Sequence, residues 1–332
     1  MKGMNTVTEN FRLRVSSTPH IRSNSSVDDI MLDVIIALMP AAFAGVIYFG
    51  QRALAVMLLS VISCVGFEWL YEIMAHKRRS INDFSAVVTG LLLALIMPVS
   101  VPYYAVVIGA FVAIVITKQL FGGIGQNFMN PALVGRAFLL ASFPVVMTTY
   151  PTGRMGIFDK VAEVVTAATP LSAEYSAPVP TAMEQFLGRY STGTPLGGCI
   201  GETCALALLI GFAYLLIRRV ISARIPLTFM ATVALMALLF GENGVPTAGN
   251  PLLAVLSGGL MLAAIFMATD YVTTPTTPLG QIIFGVGCGA ITSVIRFWGG
   301  YPEGVTYAIL LMNVLTPLLD KWTVPKVFGK QN

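Results

Sequence analysis

The segment AVVTGLLLALIM (Ala86–Met97) decides the fold, because AVLSGGLMLAAI (Ala254–Ile265) nearly repeats it in the second half of the chain. Both stretches are apolar and rich in small residues, as helices that pack closely in membranes are. Five apolar segments fall in each half of the chain, so the second half must run upside down relative to the first. The pattern predicts two inverted five-helix repeats. Chance similarity between two Ala/Leu/Gly-rich helices is the alternative.

Composition indicates a membrane protein. Hydrophobic residues make up 56% of the 332, charged residues only 11%, and the mean hydropathy is +0.78. Soluble domains usually carry about 25% charged residues. We therefore predict an all-α integral membrane protein with about ten transmembrane helices, some shorter than the ~20 residues that span hydrocarbon comfortably. The predicted spans are 29–49, 53–74, 84–100, 103–120, 131–149, 203–217, 225–240, 251–268, 281–297 and 304–319.

Basic residues collect at alternate turnings of the predicted spans. By the positive-inside rule these turnings face the cytosol, so both termini are predicted to be cytosolic and the 150–202 loop extracytoplasmic. The net charge of +4 comes mostly from these turnings, which argues for membrane orientation and not for nucleic-acid binding. Only Arg52 is basic among the short opposite turnings. The cytosolic set is the N-terminal arm, His76–Ser80, Lys118, Arg218–Arg224 and Lys321–Lys326.

These signals divide the chain into five parts. The predicted boundaries are a cytosolic arm at 1–28, a first five-helix repeat at 29–149, an extracytoplasmic loop at 150–202, a second repeat at 203–320 and a cytosolic tail at 321–332.

Cysteine and histidine positions give no metal or catalytic centre. Two cysteines lie inside apolar runs, two form a C-x4-C pair without a second pair, and both histidines lie beside basic residues. No metal ligand and no catalytic residue is predicted, so redox chemistry in this chain requires a borrowed cofactor. The residues concerned are Cys64, Cys199, Cys204, Cys288, His20 and His76.

Ionisable groups within the spans are candidates for function, because burying them in a membrane costs free energy. For Asp33 and Arg296 we favour anchoring at a membrane interface. Glu68 and Arg136 lie deeper in their spans; each either pairs within the bundle or contacts a bound anion.

Two polar segments lie beside spans: GQNFMNPALVGR (Gly125–Arg136) and DYVTTPTTPLGQ (Asp270–Gln281). Both are rich in Asn, Thr, Gly and Pro. Such segments either present backbone groups to a ligand or cap helices, and the sequence leaves both readings open.

The predicted extracytoplasmic loop contains VVTAATPLSA (Val164–Ala173), in which Thr169 stands between small alanines and Pro170. All of these are ordinary loop residues. Small neighbouring side chains, and a proline that keeps the chain out of a helix, would also leave a threonine hydroxyl accessible to a modifying enzyme.

Several long blocks resemble one family of membrane proteins, which includes the D subunit of Rnf complexes and, more distantly, the B subunit of the sodium-pumping NADH:quinone reductase. The match extends over nearly the whole chain. The blocks are STPHIRS (Ser17–Ser23), IMLDVIIALMPA (Ile30–Ala41), FSAVVTGLLLAL (Phe84–Leu95), KQLFGGIGQNFMNPALVGRAFL (Lys118–Leu139), IGETCALALLIG (Ile200–Gly211), ATDYVTTPTTPLGQIIFG (Ala268–Gly285) and YPEGVTYAILLMN (Tyr301–Asn313).

The resemblance implies a ten-span subunit of a ferredoxin:NAD oxidoreductase that couples electron transfer to Na+ or H+ movement in the bacterial cytoplasmic (inner) membrane. Family members carry FMN linked through its phosphate to a threonine within (S/T)-x-A-T. Here Thr166–Thr169 matches, so Thr169 is the implied acceptor, although Ala167 stands where the family often has Gly. Thr194, in STGTPL, is a weaker alternative because Gly193 replaces the expected alanine.

The resemblance also implies partners. These are the other Rnf subunits (A, B, C, E and G), especially the G subunit, which bears FMN, together with a flavin transferase during maturation and the lipid bilayer. It further allows a second, non-covalent flavin, riboflavin, for which the two polar segments are the predicted location.

Two other classes of function remain. Broken spans and inverted repeats alone also fit a secondary transporter or channel for a small solute, and a structural scaffold for redox partners is the third alternative. Neither of them accounts for TAATP in an outside loop.

Overall fold

The computed structural model is mostly helical, as the sequence predicts. Three helices in the part that it describes are long and apolar enough to cross a membrane: Val27–Phe49 (α1), Gln51–Met74 (α2) and Pro278–Trp298 (α12). Helices occupy each of the predicted apolar segments, and the number of crossings stays a prediction. The structure describes residues 26–76, 83–151, 153–159, 166–167, 180–189, 196–240, 249–299 and 304–324.

The remaining helices are shorter, and two continue as π-helix. Val112–Gln119 continues α4, and Ala263–Met267 continues α11. The helices are α3 (Ser85–Leu95), α4 (Tyr103–Phe111), α5 (Pro131–Ser142), α6 (Pro144–Met147), α7 (Ala182–Leu187), α8 (Ala205–Ile217), α9 (Arg224–Phe240), α10 (Pro251–Leu256), α11 (Leu260–Leu262) and α13 (Val305–Trp322). Two short strands, β1 (Tyr150–Pro151) and β2 (Thr166–Ala167), pair antiparallel.

Asn-Pro pairs begin helices in both halves. Pro131 and Pro251 are the first residues of α5 and α10, where the backbone N–H that proline lacks would have no partner within the helix. The preceding Asn130 and Asn250 each accept hydrogen bonds from two N–H groups of the first turn through Oδ1. The sequence therefore dictates these starts locally.

Two predicted spans are broken. The span at 84–100 ends as a helix at Leu95, two residues before the Met97-Pro98 step. The carbonyls of Leu95 and Met97 accept hydrogen bonds from the N–H groups of Gly201 (2.8 Å) and Ile200 (3.0 Å), so a segment of the later loop satisfies the open helix end. The span at 251–268 is divided at Ser257–Gly259 into α10 and α11, with Gly258 at φ +67°.

Helices of the two halves meet at one extended core. α1 packs on α8, and α5 on α13; within the halves, α2 packs on α3 and α4, and α9 packs on α12 and α10. The broken elements α3 and α11 lie at the centre, where nearly every side chain is buried. Gly211 fits against the backbone of α1, because a Cβ there would lie 2.2 Å from the carbonyl oxygen of Ala37.

Candidate cofactor and ion sites

The described part of the 150–202 loop is fixed to one end of the bundle. Residues Thr166 and Ala167, which begin the TAAT sequence, pair through their backbones with Pro151 and Tyr150. Thr169 and the alternative Thr194 lie outside the described residues. The last described pair of the ladder, at Ala167, is two residues before Thr169.

Arg52 holds the start of this loop. Its guanidinium donates to the carbonyls of Val99 (2.9 Å), Asp159 (2.7 Å) and Val101 (3.4 Å), and it lies over the Tyr103 ring. One side chain thus joins the α1–α2 turn, the α3–α4 turn and the 153–159 segment.

Backbone contacts strengthen this attachment. The N–H of Met155 donates to Phe49 O (2.9 Å), and the N–H of Arg52 donates to Met155 O (3.2 Å). Gly50 lies between them at φ +83°, where a Cβ would be 2.9 Å from Met155 O, so this position requires glycine. The loop and both turns consequently occupy the same end of the molecule.

At the other end, a cavity of about 100 Å3 lies between α1, α3, the start of α5 and the chain after Met267; we call it the large cavity. The two polar segments predicted as ligand sites both line it, the first through Asn127 and Asn130 and the second through Asp270 and Tyr271. Segments about 140 positions apart in the sequence thus meet at one site, as the broken helices of transporters do.

The polar segments cap helices, which confirms one of their two predicted roles; the presentation of backbone groups to a ligand stays a prediction. Asn130 caps α5 through Oδ1, and its Nδ2 donates to Met267 O (3.3 Å) at the end of the second π-helix. In the second segment, Thr277 caps α12 by accepting from Gly280 N. Capping and cavity lining are thus performed by the same segments.

Asp270 is half-buried beside the large cavity. Thr273 Oγ1 donates to its Oδ2 (3.1 Å), and Asn127 also donates to it. Burial raises the pKa of Asp270 above its ordinary value, and these two hydrogen bonds oppose the rise. Burial and hydrogen bonding thus act in opposite directions on the ionisation of Asp270.

Glu68 pairs within the bundle, which decides between its two predicted roles. Lys118 Nζ lies 2.8 Å from Oε1 and 3.0 Å from Oε2, and Gln119 Nε2 donates to Oε1 at 2.8 Å. Lys118 also donates to Ser85 Oγ (2.6 Å), which in turn donates to Asp83. The chain of hydrogen bonds runs from half-exposed Asp83 to fully buried Glu68.

Lys118 is buried, although the sequence places it at a predicted cytosolic turning. Its side chain is 3% exposed and lies between Glu68 and the wall of the large cavity. The side of the membrane on which this turning lies stays a prediction.

Arg136 also pairs within the bundle. Its Nη1 lies 3.3 Å from Oε1 of Glu202, and its Nη2 donates to Cys199 Sγ at 3.5 Å. Both charged side chains are almost fully buried. Cys199 N donates to the second oxygen of Glu202 at 3.4 Å. The pair joins α5 of the first half to the segment that precedes α8.

Asp33 and Arg296 both bind partners within the bundle, and their predicted anchoring at a membrane interface stays a prediction. Asp33 is buried and accepts from Tyr214 Oη (2.8 Å) and from Arg218, which joins α1 to α8. Arg296 is 5% exposed and donates to the carbonyls of Ala254 (2.8 Å) and Ser257 (3.2 Å) at the break between α10 and α11. Each residue holds two helices together, because a buried charge needs a partner.

Three cavities follow one another along the same elements. Leu92, Ala132 and Phe266 line the large cavity. A narrow cavity of about 10 Å3 is lined by Ile96, one helical turn after Leu92, and by Leu133 and Met267, which directly follow Ala132 and Phe266. Arg136 and Gly259 also line the narrow cavity. Beyond them, a polar cavity of about 40 Å3 is lined by Glu202, Gln185, Thr203 and Ser257 among others. The Arg136–Glu202 pair thus separates the narrow cavity from the polar cavity.

Sequence reasoning missed Lys118, Glu202 and Gln185 as site residues. Glu202 had a detectable signal, a single carboxylate directly before an apolar run. The pairing of Lys118 was not visible in the sequence because its partner, Glu68, is 50 positions away. Gln185 lies in the short helix α7, and no charged residue beside an apolar run marked it as a site residue in the sequence.

Comparison with known proteins identifies relatives along the whole chain. A sequence profile described as the NQR2, RnfD, RnfE family matches residues 14–329. The D subunit of the Na(+)-translocating ferredoxin:NAD(+) oxidoreductase complex of Acetobacterium woodii is 47% identical over 322 residues, 96% of each chain. The D subunit of the proton-translocating ferredoxin:NAD(+) oxidoreductase complex of Clostridium ljungdahlii is 44% identical over 320 residues, 95% of this chain and 96% of that one. The D subunit of the ion-translocating oxidoreductase complex of Stutzerimonas stutzeri is 38% identical over 330 residues, 92% and 93%.

Proposed function

Because the chain belongs to the NQR2, RnfD, RnfE family, we propose that it is a membrane subunit of an ion-translocating ferredoxin:NAD+ oxidoreductase complex. The observation that carries this proposal is near-full-length similarity to the D subunits of such complexes. The chain works as part of that translocase, with the other Rnf subunits (A, B, C, E and G) as its partners, and it is not active alone.

Within the complex, the chain relays electrons through FMN held by a phosphoester to Thr169. Bound FMN supplies a carrier that passes electrons singly or in pairs. The TAAT sequence supports this role, and so does the attachment of the loop at and before it: the ladder at Thr166–Ala167 and the hydrogen bond of Arg52 to Asp159 O. These contacts fix where the tether starts, and therefore how far the carrier moves toward the FMN-bearing G subunit.

The large cavity is the proposed site of a second, non-covalent flavin, riboflavin. Its wall combines apolar side chains with hydrogen-bonding groups from Asn127, Thr89 and Lys118, as a flat ring system with polar edges requires, but at about 100 Å3 the cavity must widen to admit the whole flavin. Lys118 reaches this wall while its charge is paired with Glu68. Asp270 faces the same space with a pKa raised by burial.

The chain forms ten transmembrane helices in two inverted repeats, which enclose the ion path. Equivalent contacts support this arrangement: the first helices of the two halves pack together (α1 and α8), the fifth helices do so too (α5 and α13), and the second packs on the fourth in each half. The three cavities in series run along the interface of the halves. Changes of cofactor charge bias two conformations of the bundle and so drive the ion.

The chain lies in the bacterial inner membrane with both termini cytosolic and the Thr169 loop outside. The basic arm and the Arg218–Arg224 turning support this orientation. The large cavity then opens on the cytosolic side, and the polar cavity lies on the outer side, beside the 150–202 loop.

Flavin fluorescence of the denatured chain on a gel tests the proposal, with wild type beside Thr169→Ala and Thr194→Ala. Each chain is produced together with its flavin transferase. We expect fluorescence to be lost only in Thr169→Ala. Loss only in Thr194→Ala moves the attachment site within the same function. Absence of bound flavin from wild type, made with a competent transferase, overturns the electron-carrier role in favour of the solute transporter.

Ion coupling has its own test in Glu68→Gln and Asp33→Asn, in which the rates of cofactor reduction and ion uptake are measured separately. We expect uptake to fall more than reduction in at least one variant. Unchanged coupling in both removes these carboxylates from the ion path.

A further inference from the structure

Several side-chain oxygen atoms line the polar cavity, and some of them accept no hydrogen bond from the described residues. Its oxygen-bearing side chains are Gln185, Glu202, Thr203 and Ser257. Three glycines and two leucines complete the wall, so these four side chains determine what the cavity binds. The glycines and leucines are Leu196, Gly197, Gly198, Leu256 and Gly258.

Two of these oxygens have no hydrogen-bond partner among the described residues: Oε1 of Gln185 and Oγ1 of Thr203. The residues are only 4% and 6% exposed. The other end of the Gln185 amide, Nε2, donates to Ser257 Oγ at 2.7 Å. Its acceptor oxygen is therefore left without a donor from the described part of the chain. A buried polar atom in this state costs about 1–3 kcal/mol, so a ligand that satisfies both oxygens is strongly favoured.

The charge of the cavity selects a cation. Among the described residues that line it, Glu202 has the only ionisable side chain. Arg136 contacts Oε1 from the side of the narrow cavity, while Oε2 has a long contact of 3.4 Å with Cys199 N. An anion in the polar cavity would face the Glu202 carboxylate and the acceptor oxygen of Gln185, which repel it, whereas the Thr203 hydroxyl is indifferent to the sign of the charge because it both donates and accepts.

The ligand set also selects the valence. Ca2+ takes six to eight oxygens, usually with several carboxylates, and the described residues contain no group of three or more His, Cys, Asp or Glu side chains that could hold a metal ion. One carboxylate, already shared with an arginine, suits a single positive charge. A cavity needs about 10–15 Å3 to hold one water, so about 40 Å3 admits a small cation with a remaining water.

We propose that the polar cavity is a Na+ site, with Gln185 Oε1, Thr203 Oγ1 and the Glu202 carboxylate as ligands. Broken helices that border on an ion site recur in transporters, and here the break at Ser257–Gly259 borders the cavity. Bound Na+ competes with Arg136 for Glu202, so the ion and the arginine share one carboxylate. That this Na+ is the translocated ion rests on the proposed function; the site itself does not.

Thr203→Val tests the site directly. Valine has the shape of threonine without the hydroxyl, and that hydroxyl has no partner to lose among the described residues. If Thr203 has only a structural role, the substitution should therefore stabilise the protein. If Thr203 is a ligand of Na+, the substitution should lower the affinity for Na+. Thr292→Val is the matched control, because Thr292 is also fully buried, its hydroxyl has no partner in the described part of the chain, and it lines none of the three cavities.

The experiment measures equilibrium binding of 22Na+ to the full chain in lipid nanodiscs, with choline chloride holding the ionic strength constant. We expect saturable binding to wild type and to Thr292→Val, and about tenfold weaker binding to Thr203→Val, which corresponds to about 1.4 kcal/mol. Thr203→Ser, which keeps the hydroxyl, should restore wild-type affinity. The thermal unfolding of wild type should shift with NaCl and not with choline chloride.

Equal Na+ affinity of Thr203→Val and wild type overturns the site, and so does an equal loss in Thr292→Val. Absence of Na+-specific binding to wild type identifies the occupant as water and also overturns it. Covalent flavin is measured in the same samples of the chain produced with its transferase. Flavin present without a Na+ site rejects this inference alone, and Na+ binding without flavin rejects the electron-carrier role alone.

Discussion

The ammonium of Lys118 lies 2.8 Å from the carboxylate of Glu68, with both side chains almost fully buried between α2, α3 and the π-helix that ends α4. The pair joins residues 50 positions apart, and Lys118 forms part of the wall of the large cavity. Each buried charge is therefore compensated by the other in place of water.

Lys118→Met should destabilise the protein by about 3–5 kcal/mol, because it leaves the Glu68 carboxylate buried without its counter-charge. Lys118→Met combined with Glu68→Leu should cost less than the single change. Thermal unfolding of the three proteins measures this coupling. Arg218→Met is the comparison: its side chain is 55% exposed and Asp33 keeps the hydrogen bond from Tyr214, so the cost should be smaller than that of Lys118→Met. Additive effects of the two buried changes would contradict the pairing.

Gly259→Ala should displace Glu202. A Cβ on Gly259 would lie 2.4 Å from Glu202 Oε1, the oxygen that Arg136 contacts. The backbone at Gly259 suits alanine (φ −76°, ψ 10°), so the effect is steric and should cost about 1–3 kcal/mol. Gly66→Ala is the control, since nothing lies within 4 Å of a Cβ there and alanine favours the helix by about 1 kcal/mol. If unfolding temperatures of the two variants agree, the close contact with Glu202 is not real.

Local signals in the sequence were sufficient for much of the helical framework. Asn-Pro at 130–131 and 250–251 marks helix starts, and the apolar runs contain the observed helices. Long-range pairing was invisible: nothing near Arg136 indicates Glu202, which is 66 positions away. The break at Ser257–Gly259 had a local signal, two consecutive glycines, but an apolar run on both sides concealed it.

The functional residues divide in the same way. Thr169 is implied by a contiguous motif, which a sequence displays directly. The polar cavity requires α7, the segment before α8 and the α10–α11 break to meet, and only tertiary packing brings Gln185, Thr203 and Ser257 together.

Asp270→Asn should stabilise the protein at neutral pH and have little effect in acid. Burial raises the pKa of Asp270 in the folded state above its ordinary value of 3.8. The folded protein therefore binds this proton more tightly than the unfolded chain, and stability falls as pH rises from 3.8 through the raised pKa. Asparagine avoids that loss and keeps an acceptor for Thr273. Unfolding temperatures at about pH 5 and about pH 7.5 give the comparison; a difference between variant and wild type that does not grow with pH would refute the assignment.

Arg52→Lys should loosen the loop that carries the proposed flavin. Lysine keeps the charge but not the planar fork that reaches the carbonyls of Val99, Asp159 and Val101 at once. Hydrogen bonds to charged groups contribute about 1.5–3 kcal/mol each, so losing one or two should lower stability by about 2–4 kcal/mol. Covalent flavin per chain should fall as well, because the start of the tether is no longer fixed.

Arg154→Lys is the matched control for this change. Arg154 is exposed and donates one hydrogen bond, from Nε to Ile47 O at 2.9 Å, so its replacement should cost less than about 1 kcal/mol. Thermal unfolding and in-gel flavin fluorescence are measured on both variants. A stable Arg52→Lys protein with full flavin content would show that the loop is held by its backbone contacts at Phe49 and Met155. An unstable protein with full flavin content would separate the anchoring of the fold from the presentation of Thr169 to the transferase.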